Sequence, residues 1–475
     1  MNHYFFEARR QKGKLLLALA LFFFVFSGFS LALEESFSFG RCGKVTVYSS
    51  APNPSRVVLF ISGDGGWNLG VIDMAKSLAA LDALVVGLDI NQFLKALAQS
   101  AEACSYPAAD LENLSKFVQK KYNFAAYTSP ILVGYSSGAT FVYAAMVQAP
   151  SNTFRGAISL GFCADLALPK PFCRGSGLDW KMGSKPTAYV FLPAPSLEVP
   201  WLILQGDIDQ VCSPASTEAY VKQIKNAEII VLPKVGHGFS VQKNWMPQFK
   251  QAFSKIFERD NQETPPQVEP LPDLPLVEVA AEESGKKTLA VHLTGDGGWG
   301  VTDKGIARFL ANHGIPVVGL NSLKYFWKRR TPEDASKDLG RILRHYLAGW
   351  KKESVAAIGY SLGADVLPFM INRLPEDLRS KITSVTLLGP SRRVDFQFHL
   401  TDWLGGHPGK DALPVLPEVE KLYGIPILCF YGEDDKECLC HDVDQTQVKS
   451  TSLQAGHRFG RNFESIAAAI LQETK

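Results

Sequence analysis

The sequence predicts an α/β protein made of two parallel-sheet modules in tandem, and three observations carry that prediction. In each half, short apolar runs alternate with helix-length amphipathic segments, the pattern of a parallel sheet covered on both faces. A set of glycine-centred landmarks occurs twice in the same order: Gly63-Asp64-Gly65-Gly66-Trp67 and Gly295-Asp296-Gly297-Gly298-Trp299, then Gly134-Tyr135-Ser136-Ser137-Gly138 and Gly359-Tyr360-Ser361-Leu362-Gly363. Between the halves, residues 259–286 gather Pro265, Pro266, Pro270, Pro272 and Pro275 among acidic and polar residues, a composition that suits a semi-rigid linker. The 475 residues exceed what one core usually organises, so length agrees with the repeat.

Read from the N-terminus, Arg9, Arg10, Lys12 and Lys14 precede an apolar run at 15–26 and small residues at Ser27, Gly28, Ser30 and Ala32, which reads as an export signal over 1–33. The uncharged stretch 15–33 is also long enough to remain as an anchor. Either outcome places the body outside the cytoplasm, in the periplasm. The first domain, 34–258, has expected strands at 57–61, 83–88, 131–133, 157–160, 201–204 and 228–232. The second, 287–475, has them at 288–293, 316–320, 355–358, 384–388, 425–431 and 450–453. Helices are expected after the glycine-rich loops, at 71–81 and 303–312, and after the serine turns, at 139–147 and 364–374, with Pro368 near the start of the last.

A serine hydroxyl is a weak nucleophile at neutral pH and needs an imidazole to accept its proton and a carboxylate to orient that imidazole. Both modules supply all three, in the order serine, acid, histidine. Ser361, Asp435 and His457 form the triad expected in the second module; Ser136, Asp209 and His237 form a possible second triad in the first. Asp435 is preferred to Asp434 because it aligns with Asp209 at the fourth place of its glycine-led loop. Strand, sharp glycine-flanked turn and helix around each serine make these α/β-hydrolase-like domains. Backbone amides at Gly297, Gly298 and Leu362, with Gly65, Gly66 and Ser137 in the other module, are the expected oxyanion donors.

Asp64 and Asp296 are unexpected beside an oxyanion, and are expected either to tie the turn or to meet a substrate ammonium group. Trp67 and Trp299 are expected to pack, and Tyr135 and Tyr360 to sit beside the elbows. The basic run 324–330, with Lys324, Tyr325 and Trp327, reads as a solvated loop or as a contact for anionic headgroups. Among eight cysteines, Cys163 and Cys173 are the expected local pair; Cys438 and Cys440 beside His441 lack zinc-site spacing and read as disulfide or buried thiol. No phosphate loop, dinucleotide fingerprint or helical metal motif occurs, so neither cofactor nor metal is expected. A net charge of +2 gives no reason to expect nucleic acid.

The glycine-aspartate-glycine-glycine-tryptophan loop, the elbow from Gly359 to Asp365, the second acid loop and Gly456-His457-Arg458-Phe459 resemble the VirJ/AcvB family of bacterial virulence proteins. The likeness is most specific over 287–475, which resembles the VirJ domain; signal, first module and linker match the longer AcvB-type layout. The resemblance implies a periplasmic serine esterase that hydrolyses lysyl-phosphatidylglycerol to lysine and phosphatidylglycerol, with the second module as principal catalyst. It implies an aminoacylated anionic phospholipid at the membrane surface as partner. A binding or assembly factor for secreted virulence proteins, built on a hydrolase fold, is the alternative.

Overall fold

The computed structural model describes residues 33–150, 152–184, 187–258, 271–281, 286–399, 412–454, 459 and 463–474. The expected signal over 1–33 therefore lies outside the described residues, except for Leu33. Among the described residues no helix is long and apolar enough to cross a membrane.

The first module contributes β1 (Leu33–Phe39), β2 (Gly43–Ser49), β3 (Arg56–Ile61), β4 (Ala83–Leu88), β5 (Ile131–Tyr135), β6 (Gly156–Leu160), β7 (Asp165–Ala167), β8 (Trp180–Met182), β9 (Ala188–Phe191), β10 (Trp201–Gly206) and β11 (Ala227–Leu232). Its main sheet has the order β1-β2-β4-β3-β5-β6-β10-β11. From β4 to β11 the strands are parallel, whereas β1 and β2 pair antiparallel at one edge. The central runs, such as Val57 to Ile61, are buried on both faces, which is why they lack polar alternation. Strands β7, β9 and β8 form a separate small sheet between β6 and β10.

The second module contributes β12 (Leu276–Val279), β13 (Thr288–Leu293), β14 (Val317–Leu320), β15 (Ser354–Tyr360), β16 (Ile382–Leu388), β17 (Arg393–Val394), β18 (Leu413–Pro414), β19 (Ile427–Gly432) and β20 (Val448–Leu453). The sheet order is β12-β14-β13-β15-β16-β19-β20, parallel except for β12. Thus each module has the same parallel core with an antiparallel strand beside its second parallel strand. Strand β12 falls inside the stretch assigned to the linker. An edge strand tolerates nearby prolines because one side of its backbone needs no ladder partner, and here Pro275 still accepts a hydrogen bond from the Asn321 amide.

Apolar clusters lie on both faces of each sheet, as a doubly covered sheet requires. The elbow helix of the second module starts at Leu362, two residues before the expected 364. Pro368 therefore lies in its second turn rather than its first, where it removes the N–H that would bond the Ala364 carbonyl.

The modules meet through a seam. Tyr127 of the first packs with Leu323, Trp327 and Phe398 of the second in one buried cluster. The Trp327 indole stacks on Phe398 at 5.6 Å and donates to the Phe124 carbonyl at 3.0 Å, while Lys120 Nζ donates to the Trp327 carbonyl at 2.7 Å. Burial lowers the Lys120 pKa, and its ammonium lies 4.1 Å from the indole centroid. Lys304 and Arg308 add ion pairs to Glu198 across the seam.

Candidate active site

Both serines sit where a parallel strand turns into a helix, and both hold the same backbone strain. Ser136 has φ 55° and ψ −122°; Ser361 has φ 50° and ψ −119°. A non-glycine residue in this region costs on the order of 1–3 kcal/mol and persists only where the surroundings impose it. Here they do, because the helix must pass tightly over the neighbouring strand. A Cβ on Gly138 would collide with the Ile61 and Ser62 carbonyls, and one on Gly363 with those of Leu293 and Thr294. The glycines of the motif thus allow the approach that holds the hydroxyl at the apex.

In the first module the triad is assembled. The Ser136 hydroxyl lies 2.9 Å from His237 Nε2, and His237 Nδ1 lies 2.9 Å from Asp209 Oδ2. Asp209 is 5% exposed, and its carboxylate accepts from the Val211 and Cys212 amides at Oδ1 and from Gln205 Nε2 at Oδ2. Those donors aim the carboxylate at His237 Nδ1, which leaves Nε2 facing the serine hydroxyl. Tyr135 supports the histidine loop by donating to the His237 carbonyl at 3.0 Å; burial, then the Asp209 charge, raises its pKa. A cavity of about 390 Å³, lined by Gly65, Gly66, Asn68, Tyr135 and Gly238, opens beside the serine.

Gly66 and Gly298, expected as oxyanion donors, have their amides engaged within the loop. The Gly66 amide donates to the Gly63 carbonyl and the Gly298 amide to the Gly295 carbonyl, closing the same turn in each module. Their positive φ values, 77° and 76°, belong to that turn. Gly65 and Gly297 remain as candidate loop donors, beside Ser137 and Leu362, whose amides open the elbow helices and have no carbonyl four residues back within the helix.

The second module repeats this frame. Asp435 closes the same turn as Asp209, each amide donating to the carbonyl of the glycine three residues earlier. Tyr360 and Phe459 lie 5.9 Å apart, as do Tyr135 and Phe239. Phe239 and Phe459 also share a positive φ, 48° and 55°. His457 lies outside the described residues, so the expected triad of Ser361, Asp435 and His457 is described here only in its serine and acid. A buried pair, His292 and Asp303, approaches to 2.9 Å without hydrogen-bond alignment, but it lies under Trp299 on β13. It is no substitute triad.

The chain belongs to the VirJ family. The family described as "Bacterial virulence protein (VirJ)" matches residues 55–162 and 287–475, more than half the sequence and parts of both modules. A comparison with curated proteins finds no match. Among solved structures, Est1E from Butyrivibrio proteoclasticus is similar at 13% identity and a TM-score of 0.31, covering 48% of this chain and 99% of its own. An esterase domain from a Rhodothermus marinus protein gives 12% and 0.33, with 48% and 98% covered. A propionate-bound thermophilic esterase from Thermogutta terrifontis gives 13% and 0.35, with 50% and 96% covered.

Several side chains of this VirJ-family chain stand elsewhere than the sequence suggested. Tyr325 and Trp327 are 2% and 3% exposed, so the aromatic part of the basic run is neither a solvated loop nor an interface for headgroups. Trp327 fills the seam and Tyr325 donates to Asp338 Oδ2. Lys324 lines a cleft of about 510 Å³ between the modules, together with Gly297, Gly298, Asn152 and Arg155. Asp64 is exposed, and its turn is tied instead by Asn68, Asn91 and Asp89. Asp296 is half-buried. Trp67 and Trp299 pack as expected, each indole covering a strand glycine, Gly87 or Gly319.

The cysteine pairing also differs. Cys173 bonds Cys104, and Cys163 bonds Cys212. Cys440 bonds Cys429, while Cys438 is a buried thiol whose pKa burial raises to about 12. Asp209, Cys212 and His237 lie close enough to suggest a metal site, but Cys212 is in a disulfide and the other two are engaged with each other. Sequence reading missed Asp365, in the first turn of the second elbow helix. Burial raises its pKa to about 8, against the Ser391 amide that it accepts at 2.6 Å, and the Asp296 charge adds to the rise. Its place directly after the elbow motif was the signal; the first module has Thr140 there.

Proposed function

We propose that this chain is a serine esterase and that its substrate is the aminoacyl ester of lysyl-phosphatidylglycerol. The observation that carries the chemistry is the continuous relay Ser136–His237–Asp209, with both links at 2.9 Å. The choice of substrate rests on the resemblance of residues 287–475 to the VirJ domain and of signal, first module and linker to the longer AcvB-type layout, and the VirJ-family match over parts of both modules agrees with it.

Ser136 Oγ attacks the lysyl carbonyl as His237 Nε2 takes the hydroxyl proton, and Asp209 steadies the imidazolium that forms. The Gly65 and Ser137 amides face the developing oxyanion. His237 then returns the proton to the glycerol oxygen, so phosphatidylglycerol leaves and a lysyl-serine ester remains. Water, deprotonated by the same imidazole, attacks that ester and releases lysine. Ser361, His457 and Asp435 take the corresponding roles in the second module, with Gly297 and Leu362 as amide donors.

Purified protein incubated with lysyl-phosphatidylglycerol in detergent micelles is expected to release free lysine, and replacing both Ser136 and Ser361 by alanine is expected to stop it. A fluorophosphonate probe, followed by peptide mapping, is expected to mark Ser136. If the parent protein releases no lysine, the substrate assignment fails; if the double variant still does, the serine mechanism fails.

A further inference from the structure

The two modules share a catalytic frame but differ in what surrounds it. Ile208 and Val211, on either side of Asp209, are 60% and 68% exposed, and Val241, four residues after His237, is 48% exposed. Large apolar side chains this exposed are few among the described residues, and three of them stand at one triad. At the corresponding places the second module has Asp434 and Glu437 in its acid loop, and Arg461 four residues after His457. The fold therefore does not require apolar residues there.

The three positions belong to one belt. The Val211 amide donates to Asp209, and the Ile208 amide to the Val235 carbonyl just before the histidine loop. Asp207 beside Ile208 accepts from the Lys234 amide; the Lys234 carbonyl accepts from Asn244, whose own amide donates to the Val241 carbonyl. Lys234 and Lys243 are exposed within this belt, as is Asp207, and Gln242 between Val241 and Lys243 donates to the exposed Asp73. Apolar side chains interleaved with ammonium groups at the rim of an esterase site match the chemistry of an anionic bilayer surface, where acyl chains lie beneath phosphate.

We infer that Ile208, Val211 and Val241, with Lys234 and Lys243, form the surface by which the first module docks onto anionic phospholipid, setting Ser136 against esters at the headgroup level. The inference rests on the lipid-ester reading above.

Co-sedimentation of the full chain with phosphatidylglycerol vesicles and with phosphatidylcholine vesicles tests this. The parent protein is expected to partition onto the former. Ile208→Ser/Val211→Ser/Val241→Ser is expected to lower that partitioning at least tenfold, and Lys234→Ala/Lys243→Ala to lower it on anionic vesicles only. Thermal midpoints and the single variants Ile208→Ser and Val241→Ser, each expected to weaken binding alone, separate loss of docking from loss of folding. A parent that stays in the supernatant overturns the inference, as does a triple variant that partitions like the parent. A parent dimer returned to monomer by the triple substitution also overturns it, because a second copy would then occupy the belt. Vesicle binding without lysine release in micelles leaves the docking surface standing and removes the substrate; lysine release without vesicle binding does the reverse.

Discussion

Asp209 receives four donors, so its loss acts on the imidazole rather than on the serine directly. In an Asp209→Asn variant the charge that steadies the imidazolium is lost, and an NH2 group turned toward Nδ1 favours the wrong tautomer. Turnover of a soluble p-nitrophenyl ester by the first site, read in a Ser361→Ala background, is expected to fall by about 10⁴-fold with KM changed little. A different carboxyl group sets a pH dependence. Asp365 titrates near 8 in the folded protein against 3.8 for an ordinary aspartate. Between those values the folded form keeps a proton that the unfolded chain has lost. Stability of the second module is therefore expected to fall as pH rises from about 4 to about 8 and to level off above that. Asp365→Asn keeps a carbonyl for the Ser391 amide and removes the titration. Its unfolding transition, followed at pH 5 and pH 7.5, is expected to lose that slope.

Among the elements, the acid loop of the first module is held by a covalent link that the sequence did not reveal. Cys212 donates its amide to Asp209 and its sulfur to Cys163, in the loop that follows β6. The bond closes a separation of 49 residues, for which loop entropy gives about 4 kcal/mol of stabilisation. Cys163→Ser/Cys212→Ser is expected to lower the melting temperature of the first module and to reduce kcat more than it raises KM, since the carboxylate loses part of its anchorage. Calorimetry and ester turnover read the two effects. The second module has Ser391 and the free Cys438 at these places, bridged only by backbone, and ties its acid loop through Cys429 and Cys440 instead. The parallel strands were legible in the sequence because burial on both faces leaves unbroken apolar runs such as Ala83 to Leu88. Strand β1 was not, since its residues alternate between half-buried and exposed and it pairs only at the edge. The serine, acid and histidine of the first site were legible because the chemistry restricts residue type and order. The partners of Cys163 and Cys173 were not, because pairing depends on how distant loops approach.

At the scale of the whole molecule, Trp327 shows why a local pattern can point to the wrong surroundings. Within its own module the run from Lys324 to Arg330 is basic with three aromatics, a composition that fits an exposed interface. The partners that bury it, Phe124 and Tyr127, lie some two hundred residues earlier, in the other module. Trp327 anchors the seam through an indole stacked on Phe398 and tilted against Tyr127, a hydrogen bond from its nitrogen and another to its carbonyl. Truncating a buried tryptophan to alanine costs about 3–5 kcal/mol, through lost transfer energy and the cavity left behind. In Trp327→Ala that loss falls on the contact between modules, because each keeps its own sheet and apolar clusters. The expected outcome is a heat-capacity trace in which one coupled transition separates into two, with the linker cut faster by protease and the Ser136 site still labelled by phosphonate. A variant whose modules continue to melt together, with unchanged cleavage, would mean that the Glu198 ion pairs with Lys304 and Arg308 hold the seam without the indole. Exposed pairs of that kind usually contribute no more than about 1 kcal/mol, so the indole is the contact expected to decide whether the two modules move as one body.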